Sequence, residues 1–461
     1  MLSKFNILKR HPTYNDLLRI IETQLKLIED LKENVKGLIG RIKELENPKN
    51  SNNSHIPPSK DENRPLRNQS LREKSGKKVG GQTGHEGKTL QMKEKPDEII
   101  NQIPQYCNCC GIDLSGIKEE FVEKRQVLDI PKIIMTCKEY HSYKKKCTCG
   151  HVTISNFPST ISSPVQYGQN TEAILSYLYA RQYMPFNRIV ECMNDIFGLP
   201  ISEGGIHCLL KRFTEKATNI YQEIKTKIES STYVGSDETG AKVNGKKHWF
   251  WTWQNDNFTY VVHSVNRGID TINRVFANGL PNAVLQHDRW SSHFHCKSKD
   301  HQLCVVHLLR DLNYIIELYD CDWAKKMKKL LKKAIDLKKL LKQNEYENPN
   351  SERDKLEKEL MELLYFPIEL SNKKAIVLQK SLLKYHSNIL KFLHYHNVPP
   401  DNNGSERSIR NVKVKQKISG QFKSDKGAEL YAINRSVIDT IIKSKQNVLD
   451  GLQLIANFTS D

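Results

Sequence analysis

The sequence predicts a multidomain α/β protein, with a mixed sheet that carries the chemistry, a helical insertion inside it, and a helical and metal-binding region before it. Three observations point there. The apolar period changes from helical spacing to strict alternation near residue 232 and returns to helical spacing after residue 304. At 461 residues the chain is long for one core, so two to four domains are expected. Six of the eleven cysteines crowd between Cys107 and Cys149, which suits a metal-stapled module better than a disulfide framework. A net charge of +18 and a pI near 9.2 call for a polyanionic partner, and nucleic acid is the commonest one for a basic chain. No run approaches the roughly 18 to 20 apolar residues of a membrane span, and the first residues lack a signal-peptide apolar core. A cytoplasmic protein without a membrane partner is expected.

Residues 1–48 are expected to form a coiled-coil dimerisation helix. Ile21, Ile28, Val35 and Ile42 repeat on one heptad position and Leu17, Leu31, Leu38 and Leu45 on the other, broken by Gln24 and weakened by Gly37 and Gly40. β-Branched residues at the first position with leucine at the second favour a parallel two-stranded coil. The competing reading is an amphipathic helix lying on its own globular body. Residues 49–96 lose periodicity and read as a basic flexible linker. From Lys60 to Lys95 there are ten Lys and Arg against five Asp and Glu, and the stretch SGKKVGGQTGHEGK suits a phosphate backbone or simple solvation.

Residues 97–158 are expected to bind structural zinc. Cys107 and Cys110 form a C-x-x-C followed by Gly111, and Cys147 and Cys149 a tighter C-x-C followed by Gly150; four thiolates close a tetrahedral site. Cys109, Cys137, His141 or His151 are alternative ligands. Residues 159–230 show helical spacing, and LPISEGGIHCLLKRF reads as turn, N-cap and helix, either a DNA-binding helix-turn-helix or scaffold.

The core is expected in two parts, 231–320 and 397–426. Thr232 to Ser236 reads as a short strand ending at Asp237, Asn244-Gly245 as a hairpin turn, and Lys247–Trp253 and Phe258–Ser264 as alternating strands. Ile269–Ala277 reads as a helix, and Ala283–Gln286 as a strand ending at Asp288. Three hairpin-ordered strands, a helix and a further strand give the chain order of a ribonuclease H-like fold, in which the ends of the first and fourth strands are neighbours. Glu238 is expected to face the other way from Asp237, because a strand alternates. Cys304-Val-Val-His307 opens a helix and reads as a structural pair near the floor of the site. Residues 321–396, rich in Lys, Leu and Glu, are a helical insertion, and 427–461 closing helices.

The stretch DNNGSERSIRNVKVKQKISG, residues 401–420, supplies turn residues and then a helix with Glu406 in its first turn. Arg407, Arg410, Lys413, Lys415 and Lys417 follow as a cationic run suited to DNA. One acid in such a run, delivered 118 residues after Asp288, suits phosphoryl transfer with two metals, where carboxylates flank ions roughly 3.5 to 4 Å apart. Asp237, Asp288 and Glu406 are the expected catalytic and metal-holding set, with two Mg2+ or Mn2+ ions.

DETGAKVNGKKHWFWTW around Asp237, HDRWSSH around Asp288, CVVHLLRDL after it and DNNGSERSIRNVKVKQKISGQFKSDKGAE around Glu406 resemble the transposases of the insertion sequence 66 family, of the DDE class. The resemblance extends upstream to GGQTGHEGK and the cysteine knuckles. It departs at the C-x-C of the second knuckle and at Ser405, where alanine is expected. It implies that Asp237, Asp288 and Glu406 are the catalytic triad of a ribonuclease H-like core, and that element ends and target DNA are the substrates. It also implies a bacterial, nucleoid-associated setting, a homodimer or higher oligomer, and accessory proteins of the same element as partners. The rival readings are a nuclease that cuts without joining and a dimeric zinc-containing DNA-binding regulator.

Overall fold

The structure is a computed structural model and describes residues 13–50, 53–54, 61–62, 90–133, 135–346 and 349–458. The basic stretch 75–88 therefore lies outside the described residues. Contacts divide the chain into two units, one of Met1–Arg64, Cys137–Asp195 and Leu199–Asp461, the other of Pro65–Thr136 with Ile196–Gly198.

In the first unit, helix α1 (Tyr14–Glu46) starts at a capping box, in which Thr13 and Asp16 satisfy each other's backbone amides. None of its residues is buried, and all eight heptad leucines, isoleucines and valines are exposed. It leans on its own unit near its C-terminal end, where Glu44 pairs with Lys374 at 2.9 Å and accepts from Tyr319 at 3.3 Å. A small hairpin of β1 (Lys144–Lys146) and β2 (Val152–Ile154) follows, which the sequence pattern did not announce. Helix α2 (Gln169–Ser176) continues as a π turn, Tyr177–Arg181, and α3 (Phe186–Phe197) and α4 (Glu203–Glu229) complete the helical segment. Ser202 caps α4 by accepting the Gly205 amide at 3.1 Å, as the turn-and-cap reading expects. A face of α4 from Ile206 through Phe213 to Ile228 is buried. That is how a scaffold helix spends its apolar stripe.

The sheet contains β3 (Tyr233–Val243), β4 (Lys246–Gln254), β5 (Thr259–Ser264), β6 (Leu280–His287) and β7 (Ser298–Leu303), in the order β5-β4-β3-β6-β7. The first three are antiparallel, while β6 and β7 run parallel to β3. Asn244 and Gly245 both take positive φ, 46° and 75°, which a two-residue turn matched to strand twist requires. The expected strand ending at Asp237 is corrected: β3 runs on to Val243 because its whole second half pairs with β4. Strand β7 was also missed, since SKDHQL lacks the apolar alternation of its neighbours.

Trp251 and Trp253 are fully buried and stack 5.7 Å apart, with Phe276 edge-on to Trp253. They face the short helix α5 (Ile269–Val275), which supplies the crossover between β5 and β6. Helix α6 (Val305–Tyr319) follows β7, and α7 (Asp322–Leu340), α8 (Ser351–Leu364) and α9 (Lys373–Lys384) lie in the insertion region. It is no independent body. One apolar core joins Tyr233, Val284 and Leu303 of the sheet to Leu308, Leu331, Leu360 and Leu378 of these helices. Helix α10 (Asn403–Ser419) packs on β3 and β4, and α11 (Asp425–Lys443) on β5 and α4, before α12 (Val448–Ala456) closes the unit.

Candidate active site

Parallel pairing of β3 with β6 puts Gly235 opposite Gln286, and Asp237 and Asp288 each follow two residues later. The β6 ladder stops at Gly235, so Asp237 occupies the point where β3 keeps its β4 partner, Thr252, and loses β6. Asp237 is half-buried, and its Oδ1 accepts the Glu238 amide at 2.8 Å. Asp288 lies just past β6 and accepts the Trp290 amide at 2.9 Å.

Glu406 comes in on the first turn of α10. Asn402 fixes that turn. Its side chain leaves its own helix uncapped and donates to Ser236 O at 2.7 Å, its amide donates to Cys304 Sγ at 3.3 Å, and its carbonyl accepts from Glu406 N at 3.1 Å. Two glycines let helix and strand approach. A Cβ on Gly404 would meet Gln254 Nε2 at 2.5 Å, and one on Gly235 would meet Ser405 Oγ at 2.7 Å. Their signal was present in the sequence as glycines beside both proposed acids, but no local pattern distinguishes a close approach from a turn.

The carboxylates sense one another. Burial pushes the Asp237 carboxyl well above the usual range, and Glu238, Asp288 and Glu406 push it further, against the Glu238 amide. Glu406 Oε1 is buried without a hydrogen bond, 3.5 Å from His307 Nε2. His307, of the C-x-x-H motif, is thus a neighbour of Glu406. The three carboxylates do not close to within 4.8 Å of one another. The described groups that do so are Cys304 with His307 and Glu406, and His248 with His263 and Asp425. Mutually repelling carboxylates with an unsatisfied buried oxygen fit divalent cations, whose charge inverts this repulsion.

Glu238 faces the other side of the sheet, as alternation requires. There it pairs with Arg267 at 2.6 Å and His293 at 3.0 Å, and although burial alone would raise its pKa, these two partners hold it below the usual range. His293 Nε2 also stands 3.9 Å from Asp288 Oδ1. Arg267 is held between Trp249 and Trp290, 4.8 and 3.8 Å from the ring centroids. His293 and Arg267 were missed because their role depends on long-range packing.

The cationic run divides. Arg407, Arg410 and Lys417 are exposed, and the two arginines line an open groove with Arg181, Asp401 and Lys443. Lys413 donates to Gly240 O. Lys415 corrects the expectation of a DNA contact: it is buried, donates to Met184 O at 2.9 Å, lies 3.8 Å over the Tyr179 ring, and burial draws its pKa down to about 7.

The two cysteine turns lie in different units and are described separately. Gly111 and Gly150 take positive φ, 72° and 88°, as each chain reverses after its cysteines. Backbone hydrogen bonds from Cys110 and Cys109 lower the Cys107 thiol pKa, and those from Cys149, with its side chain, lower that of Cys147. Amides turned onto sulfur favour thiolates, the form that binds metal.

Residues 164–430 match the Transposase IS66 family, and this span contains Asp237, Asp288 and Glu406. The chain belongs to the IS66 transposase family. Residues 9–91 of the transposase match a second family, DUF6444, whose function is unknown. No curated protein matches the sequence. As a member of a transposase family the protein is a nucleic-acid-processing enzyme that acts on DNA, and divalent-metal dependence comes with that family. No helix among the described residues of the transposase is long and apolar enough to cross a membrane.

Proposed function

We propose that this transposase cleaves the phosphodiester at the ends of its insertion sequence and joins the freed ends to target DNA, using Asp237, Asp288 and Glu406 on a ribonuclease H-like core. The order β5-β4-β3-β6-β7, with the first three strands antiparallel, supports that core. The observation that carries the reading is the β3–β6 register, in which Asp237 and Asp288 each follow a paired residue, Gly235 and Gln286, by two positions, with Glu406 in the first turn of the helix that packs on β3. Two divalent ions, Mg2+ or Mn2+, held by these carboxylates would supply activation of the attacking oxygen and neutralisation of the leaving one.

The chain's own residues hold the acceptor oxygens and orient them. Asp237 is braced by the Glu238 amide, Asp288 by the Trp290 amide, and Glu406 by the Asn402 carbonyl through its own amide. Arg407 and Arg410, exposed beside Glu406, are the candidates to hold backbone phosphates, with Lys417 further along. In the first displacement a water oxygen bonds to phosphorus and the element's 3'-oxygen leaves, taking a proton to become a hydroxyl. In the second, that hydroxyl gives up its proton as its oxygen bonds to a target phosphorus, and the target's 3'-oxygen leaves and takes up a proton. Neither step needs a covalent protein intermediate.

Zinc on Cys107 with Cys110 and on Cys147 with Cys149 is supported by the lowered thiols and the glycine turns. Pairing of α1 between two copies is supported by its open heptad face. Accessory proteins of the same element, in a bacterial nucleoid setting, complete the proposal. The test is purified protein with Mg2+ and DNA carrying the element ends. Cleaved and joined products are expected, both lost in Asp237→Asn. Cleavage without joining would make the protein a nuclease, and products undiminished by Asp237→Asn would overturn the site.

A further inference from the structure

Two histidines on neighbouring strands meet an aspartate at a helix start, away from the three acids. His248 Nδ1 on β4 lies 2.9 Å from His263 Nε2 on β5, and Asp425 Oδ1 in the first turn of α11 lies 3.2 Å from the former and 3.7 Å from the latter. Both imidazoles are buried, while Asp425 is exposed. His248 stands four residues along β4 from Thr252, the partner of Asp237, or about 13 Å at strand rise, too far for one ion to serve both places.

We propose that His248, His263 and Asp425 form a binding site for a first-row transition dication, with zinc the best match, that ties the start of α11 to the β4–β5 pair. The three atoms make a triangle with sides of 2.9, 3.2 and 3.7 Å, and a point about 2.0–2.1 Å from each of them exists just out of its plane, the distance zinc keeps from imidazole nitrogen and carboxylate oxygen. Two imidazoles with one carboxylate suit zinc, nickel or copper and not magnesium, which keeps an oxygen shell. Without an ion, a proton shared between the two imidazoles holds them at 2.9 Å. Replacing that proton by a metal requires the nitrogens to part by about 0.4 Å, within reach of two side-chain torsions. Burial draws the His263 pKa down to about 4, with His248 and Arg274 acting the same way against Asp425, so the ring is uncharged at neutral pH. Arg274, which donates to the His263 carbonyl at 3.3 Å, opposes a dication, and the Asp425 carboxylate favours it.

The place has a structural use. The segment between α10 and α11 is already stitched to the end of β3, with Asn244 donating to Phe422 O at 2.9 Å and Phe422 donating to Lys242 O at 3.0 Å. An ion on Asp425 would fix the other end of that segment and so the tail of the helix that bears Glu406.

The experiment is a zinc titration of the full chain in excess Mg2+, reading bound zinc per chain by elemental analysis and the thermal midpoint. Asp425→Asn, an exposed change, and His263→Gln are each expected to lose one equivalent of zinc, or at least about tenfold in affinity, and the associated upward shift in midpoint. Replacing Cys107 and Cys110 by serine should remove zinc independently of these losses. If His263→Gln fails to fold, Asp425→Asn decides alone. Zinc content and midpoint shift in Asp425→Asn equal to those of the natural chain would mean a hydrogen-bonded triad only, and would overturn the proposal.

Discussion

Gly404→Ala tests how Glu406 reaches the sheet. The new Cβ would lie 2.5 Å from Gln254 Nε2 and 2.9 Å from its Cδ and Oε1, all well inside van der Waals contact. Gln254 cannot swing away freely, because it is buried and its Oε1 accepts from Lys443 Nζ at 2.8 Å. Overpacking of this kind costs about 1–3 kcal/mol, against a gain of at most about 1 kcal/mol from replacing glycine in a helix. The net destabilisation should therefore lie between about 0 and 3 kcal/mol in urea unfolding. The strain is relieved most easily by lifting the first turn of α10 away from β3, and Glu406 sits in that turn. A displacement near 1 Å at a reacting centre costs about a hundredfold in rate. DNA cleavage at saturating DNA and metal should fall by about that factor while DNA affinity holds. A Gly404→Ala protein with natural cleavage rate and natural stability would refute the close-approach reasoning.

Asp288→Asn and Glu406→Gln should each lower cleavage and joining by at least about a hundredfold, the scale for loss of one electrostatic group at a reacting centre, with DNA binding retained in a gel-shift assay. Asp237 has a raised pKa in the folded chain, so its contribution to stability is present below the ordinary aspartate pKa and lost as pH rises through the raised value. Asp237→Asn should accordingly raise the metal-free thermal midpoint at pH 7–8 and abolish the stabilisation by Mg2+ there. Arg407→Ala and Arg410→Ala should each reduce the salt dependence of DNA binding, by about 0.9 in log–log slope for every backbone phosphate that the arginine neutralises. Lys415→Met should leave that slope unchanged, since its ammonium is bonded to the Met184 carbonyl. Ile28→Asp with Leu31→Glu should convert a dimer to a monomer in sedimentation, since both side chains belong to the exposed heptad face.

Periodicity made most of the sheet legible. The alternation that put Trp251 and Trp253 inside also put Asp237 and Glu238 on opposite faces, and the Asn244-Gly245 turn fell where the chain reverses. A helix with Glu406 in its first turn was equally legible, but the expected N-caps were not, since Asn403, Gly404 and Ser405 belong to the helix and Asn402 gives its side chain to the Ser236 carbonyl. What local pattern could not show was partnership. Whether β3 ends at Asp237 depends on β4 continuing beside it, and whether Lys415 meets DNA depends on the distant Tyr179 ring and Met184 carbonyl. Neither His293, quoted only as the end of HDRWSSH, nor Arg267 carries a local mark of the packing that brings both to Glu238. The lysines that dominate the sequence of the insertion gave no hint of its packing, and its leucines enter the same core as Leu303 of the sheet.

Iron-directed backbone cleavage tests the convergence of the three acids most directly. Fe2+ replacing Mg2+, with ascorbate and peroxide, generates hydroxyl radicals that cut the chain within a few ångströms of the ion. Cuts near residues 237, 288 and 406 are expected, suppressed together by excess Mg2+ and by Asp237→Asn. Cuts near 237 and 288 with none near 406, or a pattern unaltered by Asp237→Asn, would contradict a shared metal site.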